Sequence, residues 1–360
     1  MTPLKVVLVG AGSMGLAWRD TIEATPHAEL VGIADLDLAV ARDAAAGLAT
    51  PIPVGDNAVE LARATGATAI VNVTVPEAHH EVATAAMFAG LDVLGEKPVA
   101  DTVPKALSLA AAAEATGRML MVSQSRRWNP QLFALRSMVE DLGAVGSLTT
   151  EFFRAPRFGG FRERMAHPLL VDMAIHAFDS ARYLLGAEPV AAYCEAYNPP
   201  WSWFDGAASA SAVFTMEGGA RYSYTGSWCA PGTETSWNGV WRVSGEKGSA
   251  SWDGDHDPVL HAPFPPADRP LAAYSGIAGA LEVFVDALAS GSTPMGEVHE
   301  NLLSLVMVEA AVRSAETGER VLIDDVLDRA YAEALAAETH PDVRAALAAW
   351  PSPRAALTGP

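Results

Sequence analysis

Asp172 and His176 stand four residues apart in LLVDMAIHAFD, residues 169–179, with Asp179 three further on. The rest of that stretch is apolar. On a helix, positions i, i+4 and i+7 share one face, so an acid, an imidazole and a second acid would project together from a buried body. A carboxylate beside an imidazole can fix the ring's tautomer while the ring takes or gives a proton. The same spacing also suits a helix-start acid favoured by the dipole, beside a partnered core histidine. The pair alone leaves both readings open.

A second candidate is Lys97 in GEKP, residues 95–98. A lysine after a strand is commonly a solvated surface residue. Here Glu96 precedes it and Pro98 fixes the turn after it. At the ligand edge of a sheet such a lysine can act as acid or base.

A third is GAGSMG, in which Gly10, Gly12 and Gly15 form G-x-G-x-x-G. It follows the apolar run LKVVLVG and opens a helical pattern through Ala24. A second strand, AELVGIAD, then ends at Asp35, twenty residues after Gly15. That context makes it a dinucleotide fingerprint. Gly10 permits the turn, Gly12 lets backbone approach a pyrophosphate, and Gly15 brings helix close to strand. The N–H groups near Ser13 and Met14 face the phosphates. Asp35 can accept from the adenosine ribose and repels a 2′-phosphate, and LDLA after it offers no arginine. NAD is therefore expected over NADP.

The elements that position these residues follow from periodicity. Strands at 67–76, 91–98 and 118–125 alternate with helical segments, which predicts a parallel sheet covered on both faces. Ligands in such sheets lie beyond the carboxyl ends of the strands. Thr74, Pro76, Glu96, Lys97 and Gln124 all fall at such ends. After residue 126 the pattern changes to strands at 147–155, 190–198, 207–217, 220–228, 239–246 and 248–254. Several are joined by Gly-rich turns, which predicts a mostly antiparallel sheet with helices on one face. The expected class is thus α/β: an N-terminal Rossmann domain over 1–125 and a C-terminal α+β domain with an open-faced sheet over 126–327. An Ala-rich helical extension, 328–360, is expected to serve as an accessory or oligomer contact. Its last ten residues are expected to fray, and the loop around His256 and His261 to be irregular surface.

Bulk properties exclude several classes. The 360 residues are 50% hydrophobic and 19% charged, enough for about two domains and too apolar for disorder over most of the chain. A net charge of −19 repels phosphate backbones and anionic membranes, so neither is an expected partner. Cys194 and Cys229 lie far apart, and no ligand trio has metal-site spacing, so no metal is expected. The opening residues enter a strand at once, and no run of about 18 apolar residues occurs, so the cytoplasm is the expected compartment. Six of the nine tryptophans fall between Trp201 and Trp252, as core, interface or platforms for sugar C–H faces.

GAGSMG, TVPEAHHEVATAAMFAGLDVLGEKP, RRWNP, LLVDMAIHAFDSARYLLG and LLSLVMVEAAVRSAETGERVLI, in that order, give the chain a resemblance to the glucose–fructose oxidoreductase / inositol dehydrogenase / MocA family. It covers roughly residues 4 to 325. The resemblance implies Lys97, Asp172 and His176 as the catalytic set and as substrate contacts. It implies His80 and Glu96 near the cofactor, and Arg127 near the nicotinamide or substrate. It favours the proton-handling reading of Asp172 and His176, with Asp179 in support. It also implies NAD-dependent oxidation, or the reverse reduction, of a ring hydroxyl of a sugar, glycoside or cyclitol, and a homodimer or homotetramer. Two alternatives stand beside it: a redox-neutral relative with tightly held NAD, and a non-catalytic NAD-binding protein. One departure is AHPLLVD, where the family often has small glycines. The bulk of His167 and Pro168 is expected to reshape the pocket.

Overall fold

The computed structural model describes residues 2–269, 272 and 274–358. They form two compact units. The first comprises residues up to Ser125, Tyr274–Leu302 and Asp328 onward. The second comprises Arg126–Ala273 and Leu303–Leu327. The first stretch of the first unit ends at Ser125, and the remainder does not group as a single C-terminal domain over 126–327. Residues 274–302 and the extension return to the first unit, through tertiary pairing that local patterning does not carry.

In the first unit, β1 (Leu4–Val9), β2 (Ala28–Ala34), β3 (Val54–Gly55), β4 (Ala69–Asn72), β5 (Asp92–Glu96) and β6 (Leu120–Ser123) form one sheet in the order β3-β2-β1-β4-β5-β6. Every pairing is parallel. The strand order reverses between β1 and β4, so their carboxyl ends open the crevice where such sheets take ligands. Val6, Val7, Leu8, Ile70, Val71, Val93 and Leu94 are fully buried, as expected of strands covered on both faces.

Helix α4 (Pro76–Phe88) packs beside α5 (Val103–Thr116), which is buried nearly all round. Its run of alanines lets α11 (Pro341–Ala349) approach closely. The extension is therefore part of the first unit's packing. Trp350 Nε1 donates to Glu114 Oε2 at 2.8 Å, and Phe88 stacks on His340 at 3.8 Å. The expected fraying does not occur over Pro353–Thr358, which is helical. Gly359 and Pro360 lie outside the described residues.

The second unit holds an eight-stranded sheet built from β7 (Val145–Phe153), β8 (Pro189–Tyr197), β9 (Ser209–Met216), β10 (Arg221–Ser227), β11 (Val240–Gly245), β12 (Gly248–Trp252), β13 (Val259–His261) and β14 (Val321–Leu322). It is antiparallel except that β7 and β10 run parallel, so the sheet is mixed. β13 corrects the irregular loop expected around His261; its edge pairing with β12 is reinforced by Ser251 Oγ near His261 Nε2 at 3.0 Å. One face is covered by α7 (Ile175–Leu185), whose Phe178 meets Phe214, Tyr222 and Tyr224 edge-on. The other face leaves Tyr193 and Val213 exposed. Among the described residues no helix is long and apolar enough to cross a membrane.

Candidate active site

In the first unit the chain leaves β1 through Gly10 at φ +96°, a conformation that favours glycine. A Cβ at Gly15 would run into the Gly10 carbonyl oxygen, whereas one at Gly12 meets nothing within 4 Å. Helix α1 (Ser13–Ala24) then starts with no side-chain cap, so Ser13 and Met14 present first-turn N–H groups beside that open space. Asp35 at the end of β2 is fixed by Ala11 N–H on Oδ2 at 2.8 Å and Asp37 N–H on Oδ1 at 2.9 Å. An open glycine cradle at a helix N-terminus, with an anchored carboxylate beside it, fits a dinucleotide's diphosphate and ribose.

The ends of β4, β5 and β6 supply the rest. Thr74 Oγ1 donates to Asn72 Oδ1 at 2.8 Å, and Pro76 occupies the first turn of α4. The His79 ring spans two strand ends, Nε2 at 3.0 Å from the Thr74 carbonyl and Nδ1 at 2.8 Å from that of Pro98. Burial lowers its pKa. His80, expected near the cofactor, instead faces Ser108 Oγ at 2.9 Å, and that hydroxyl donates to Glu338 of the extension. Consecutive residues on a helix point about 100° apart, so only one of the two histidines can meet the strand ends. Glu96 accepts from Trp18 Nε1 at 2.9 Å and from the Lys97 N–H at 3.2 Å. Burial pushes its carboxyl up, against the opposing pull of Trp18 and Lys97. Lys97 directly follows β5, joined to Pro98 by a cis peptide, and Gln124 is buried directly after β6.

In the second unit the LLVDMAIHAFD strip is helical, but not as a single α-helix. Leu169–Ala174 is a π-helical segment that feeds α7. Such segments concentrate at functional sites. Pro168 precedes the π segment, and His167 Nε2 lies 3.5 Å from Glu316. Asp172 accepts from Arg162 Nε at 2.6 Å. His176, only 7% exposed, lines a narrow cavity with Arg126, Thr150, Tyr224, Trp237 and Trp241.

Asp179 lies one turn on and is fully buried. It accepts from Arg127 Nε at 2.9 Å and Nη2 at 2.5 Å, and from Ser304 Oγ at 2.9 Å. Ser304 in turn accepts from Arg182, which pairs with Glu188 at 2.6 Å. Arg127, expected at the nicotinamide or substrate, is thus 1% exposed and bound to Asp179. Its neighbour Arg126 is the arginine beside His176. Sequence reasoning did not single out Arg126 or His79, and took Trp237 only as one of six tryptophans that could meet a sugar. The doubled RR and HH do not tell which member of each pair lines the cavity or meets the strand ends. Among the described residues no cluster of three His, Cys, Asp or Glu could hold a metal, and both cysteines are free and buried.

Comparison with known proteins gives a consistent set. Residues 4–124 match a family model described as an oxidoreductase family's NAD-binding Rossmann fold, and residues 134–251 match the GFO/IDH/MocA C-terminal domain. The chain is 28% identical over 348 residues to the uncharacterized protein y4oX of Sinorhizobium fredii, covering 90% of this chain and 96% of that one. It is 26% identical over 353 residues to an inositol 2-dehydrogenase of Rhizobium meliloti, covering 88% and 98%. Among solved structures, an Agrobacterium radiobacter oxidoreductase in complex with NAD+, L-tartaric acid and magnesium superposes with a TM-score of 0.82 at 20% identity. That match covers 91% of this chain and all of the other. At that identity it speaks for the fold.

Proposed function

This chain belongs to the GFO/IDH/MocA family of NAD-binding oxidoreductases, and from that premise we propose that it oxidises a ring hydroxyl of a sugar, glycoside or cyclitol, or runs the reverse reduction. NAD, when bound in the cradle of Gly10, Gly12, Ser13, Met14 and Gly15, supplies the carbon that takes the hydride. A ring nitrogen of His176 accepts the hydroxyl proton. Lys97 is the cation we assign to stabilising negative charge on the reacting oxygen. Asp172, steadied by Arg162, orients the substrate hydroxyls. Arg126 takes the substrate-facing part first expected of Arg127, and His79 and Glu96 hold the turn that carries Lys97. Thr74, Pro76 and Gln124 line the nicotinamide side.

The observation that carries this reading is His176. It is a nearly buried imidazole facing a cavity, one turn after an anchored carboxylate, in the segment matching the family's C-terminal domain. Asp35 favours NAD over NADP, because its anchored carboxylate would stand against a 2′-phosphate and Asp37 adds a second acid. The exposed Tyr193 and Val213 on the open sheet face support self-association, which light scattering would read as a dimer or tetramer.

The test is absorbance of reduced nicotinamide with NAD or NADP over a panel of sugars, glycosides and cyclitols. His176→Ala and Lys97→Ala should each lower kcat by about 10²–10⁴ while dinucleotide binding persists. Near-normal turnover in both would sink the assignment. Silence across the panel, with bound NAD and a released sugar product, would point to the redox-neutral relative instead.

A further inference from the structure

The geometry points to a substrate that carries an acid group, a carboxylate or phosphate on the sugar, read by Arg126 with Arg154 and Trp237. The inference rests on the hydride-transfer reading only for the claim that a carbohydrate binds at His176.

A chain of net charge −19 has few cations to spare. Yet the second unit gathers Arg126, Arg154, Arg157 and Arg162 around aromatic rings. Sorted by partner they divide. Arg162 is bound to Asp172, and Arg154 to Glu234 at 2.6 Å and the Thr235 carbonyl at 2.7 Å. Arg157 lies over the Trp203 ring at 4.0 Å, with no carboxylate within ion-pair distance among the described residues. Arg126 has neither hydrogen bond nor ion pair among the described residues, and its Nη1 is buried without a partner. Four guanidiniums therefore stand against the two carboxylates they bind.

Arg126 and Arg154 also share one ring. Their guanidinium carbons lie 5.7 and 4.3 Å from the Trp237 centroid. Two like charges on one indole, one of them without a direct ion pair among the described residues, repel each other and are poorly hydrated. Burial pulls the Arg126 guanidinium down to about 10 and Arg154 pushes the same way, with Tyr224 and the more distant Asp172 carboxylate only partly opposing them. A bound anion reverses the sign of that arrangement, since a guanidinium fork matches a carboxylate or phosphate. Trp237 is 37% exposed, so its ring can take the apolar face of a sugar while the acid meets the cations. Arg126 and His176 line the same cavity, which sets the charge-reading group beside the proton acceptor. Buried Tyr224, whose hydroxyl has no hydrogen-bond partner among the described residues, lines it too, with Thr150 beside it.

The experiment titrates the NAD-loaded protein with matched pyranoses in the gluco, galacto and manno series: the neutral sugar, its uronate and its 6-phosphate. Binding is read by calorimetry and tryptophan fluorescence, and turnover separately by nicotinamide absorbance. At least one acid should bind about ten- to a hundredfold tighter than its neutral parent, the gap expected for hydrogen bonds to a charged group. The uronate and phosphate arms tell the two acids apart. Arg126→Gln should abolish that preference and Arg126→Lys should keep part of it, with thermal melts showing both variants folded. Neutral parents binding as well as the acids in every series, no acid binding at all, or an acid preference untouched by Arg126→Gln would each overturn the inference. Acid binding without nicotinamide reduction would keep the inference and sink the dehydrogenase reading. Reduction by neutral sugars with no acid preference would do the opposite.

Discussion

Arg126 and Arg127 are chemically identical neighbours with opposite fates. Arg127 is fully buried and fully answered, in a chain of partners that runs through Asp179, Ser304 and Arg182 to Glu188. Arg126 is partly buried, lies over an indole and has no carboxylate within hydrogen-bond distance among the described residues. Buried charge is tolerated when it is paired, so the first arginine belongs to the architecture. A half-buried charge that the fold leaves unanswered is where a ligand's charge can go. Residue type therefore says little about role; the list of partners says most.

The contrast can be broken from its strong end. Asp179→Ala leaves Arg127 buried without its counterion and should cost about 3–5 kcal/mol of stability, measured by urea unfolding. Arg126→Gln removes a charge the fold does not use, so its stability should stay within about 1 kcal/mol of the parent. Equal losses in the two variants would erase the distinction. Ser304→Ala sharpens it, because this hydroxyl joins Asp179 to Arg182. Its loss should cost about 1–3 kcal/mol and leave binding at His176 unchanged.

The smallest effect comes from a cation that pH can remove. His299 lies between Glu297 at 2.8 Å and Glu114 at 3.0 Å. Burial disfavours its charge, but the two carboxylates outweigh burial and its pKa is raised above 6.5. A raised folded-state pKa means that the stabilisation is complete below 6.5 and is lost as pH rises through the folded value. The stability gap between the parent and His299→Gln should therefore be widest in mild acid and close in alkali. A gap that widens with pH would contradict the pairing.

Much of the first unit was legible in the sequence, because its evidence is local. A strand, a glycine turn, a helix and an acid at the next strand's end are read within 35 residues. The positions of Lys97 and Gln124 at strand ends follow from the same alternation. What stayed hidden depends on angle or on long-range pairing. His79 and His80 differ only by a turn of about 100° on α4. The π segment at Leu169–Ala174 leaves no mark in the apolar periodicity. The parallel pairing of β7 with β10 joins strands some seventy residues apart, where hairpin turns alone would give antiparallel neighbours. Docking of α11 on α5 had one unused signal: SLAAAAEA is too apolar all round for a surface helix.

That docking has a consequence for synthesis. The first unit is sewn from three stretches of chain, and α11 reaches α5 only after more than two hundred intervening residues have been made. On the ribosome the nucleotide-binding half cannot finish first and wait for its neighbour. It emerges early with α5 uncovered and closes last, over a long loop of sequence. Removing residues 328–358 would thus not trim an appendage. It would hold the oldest part of the chain in the state it occupies before translation ends.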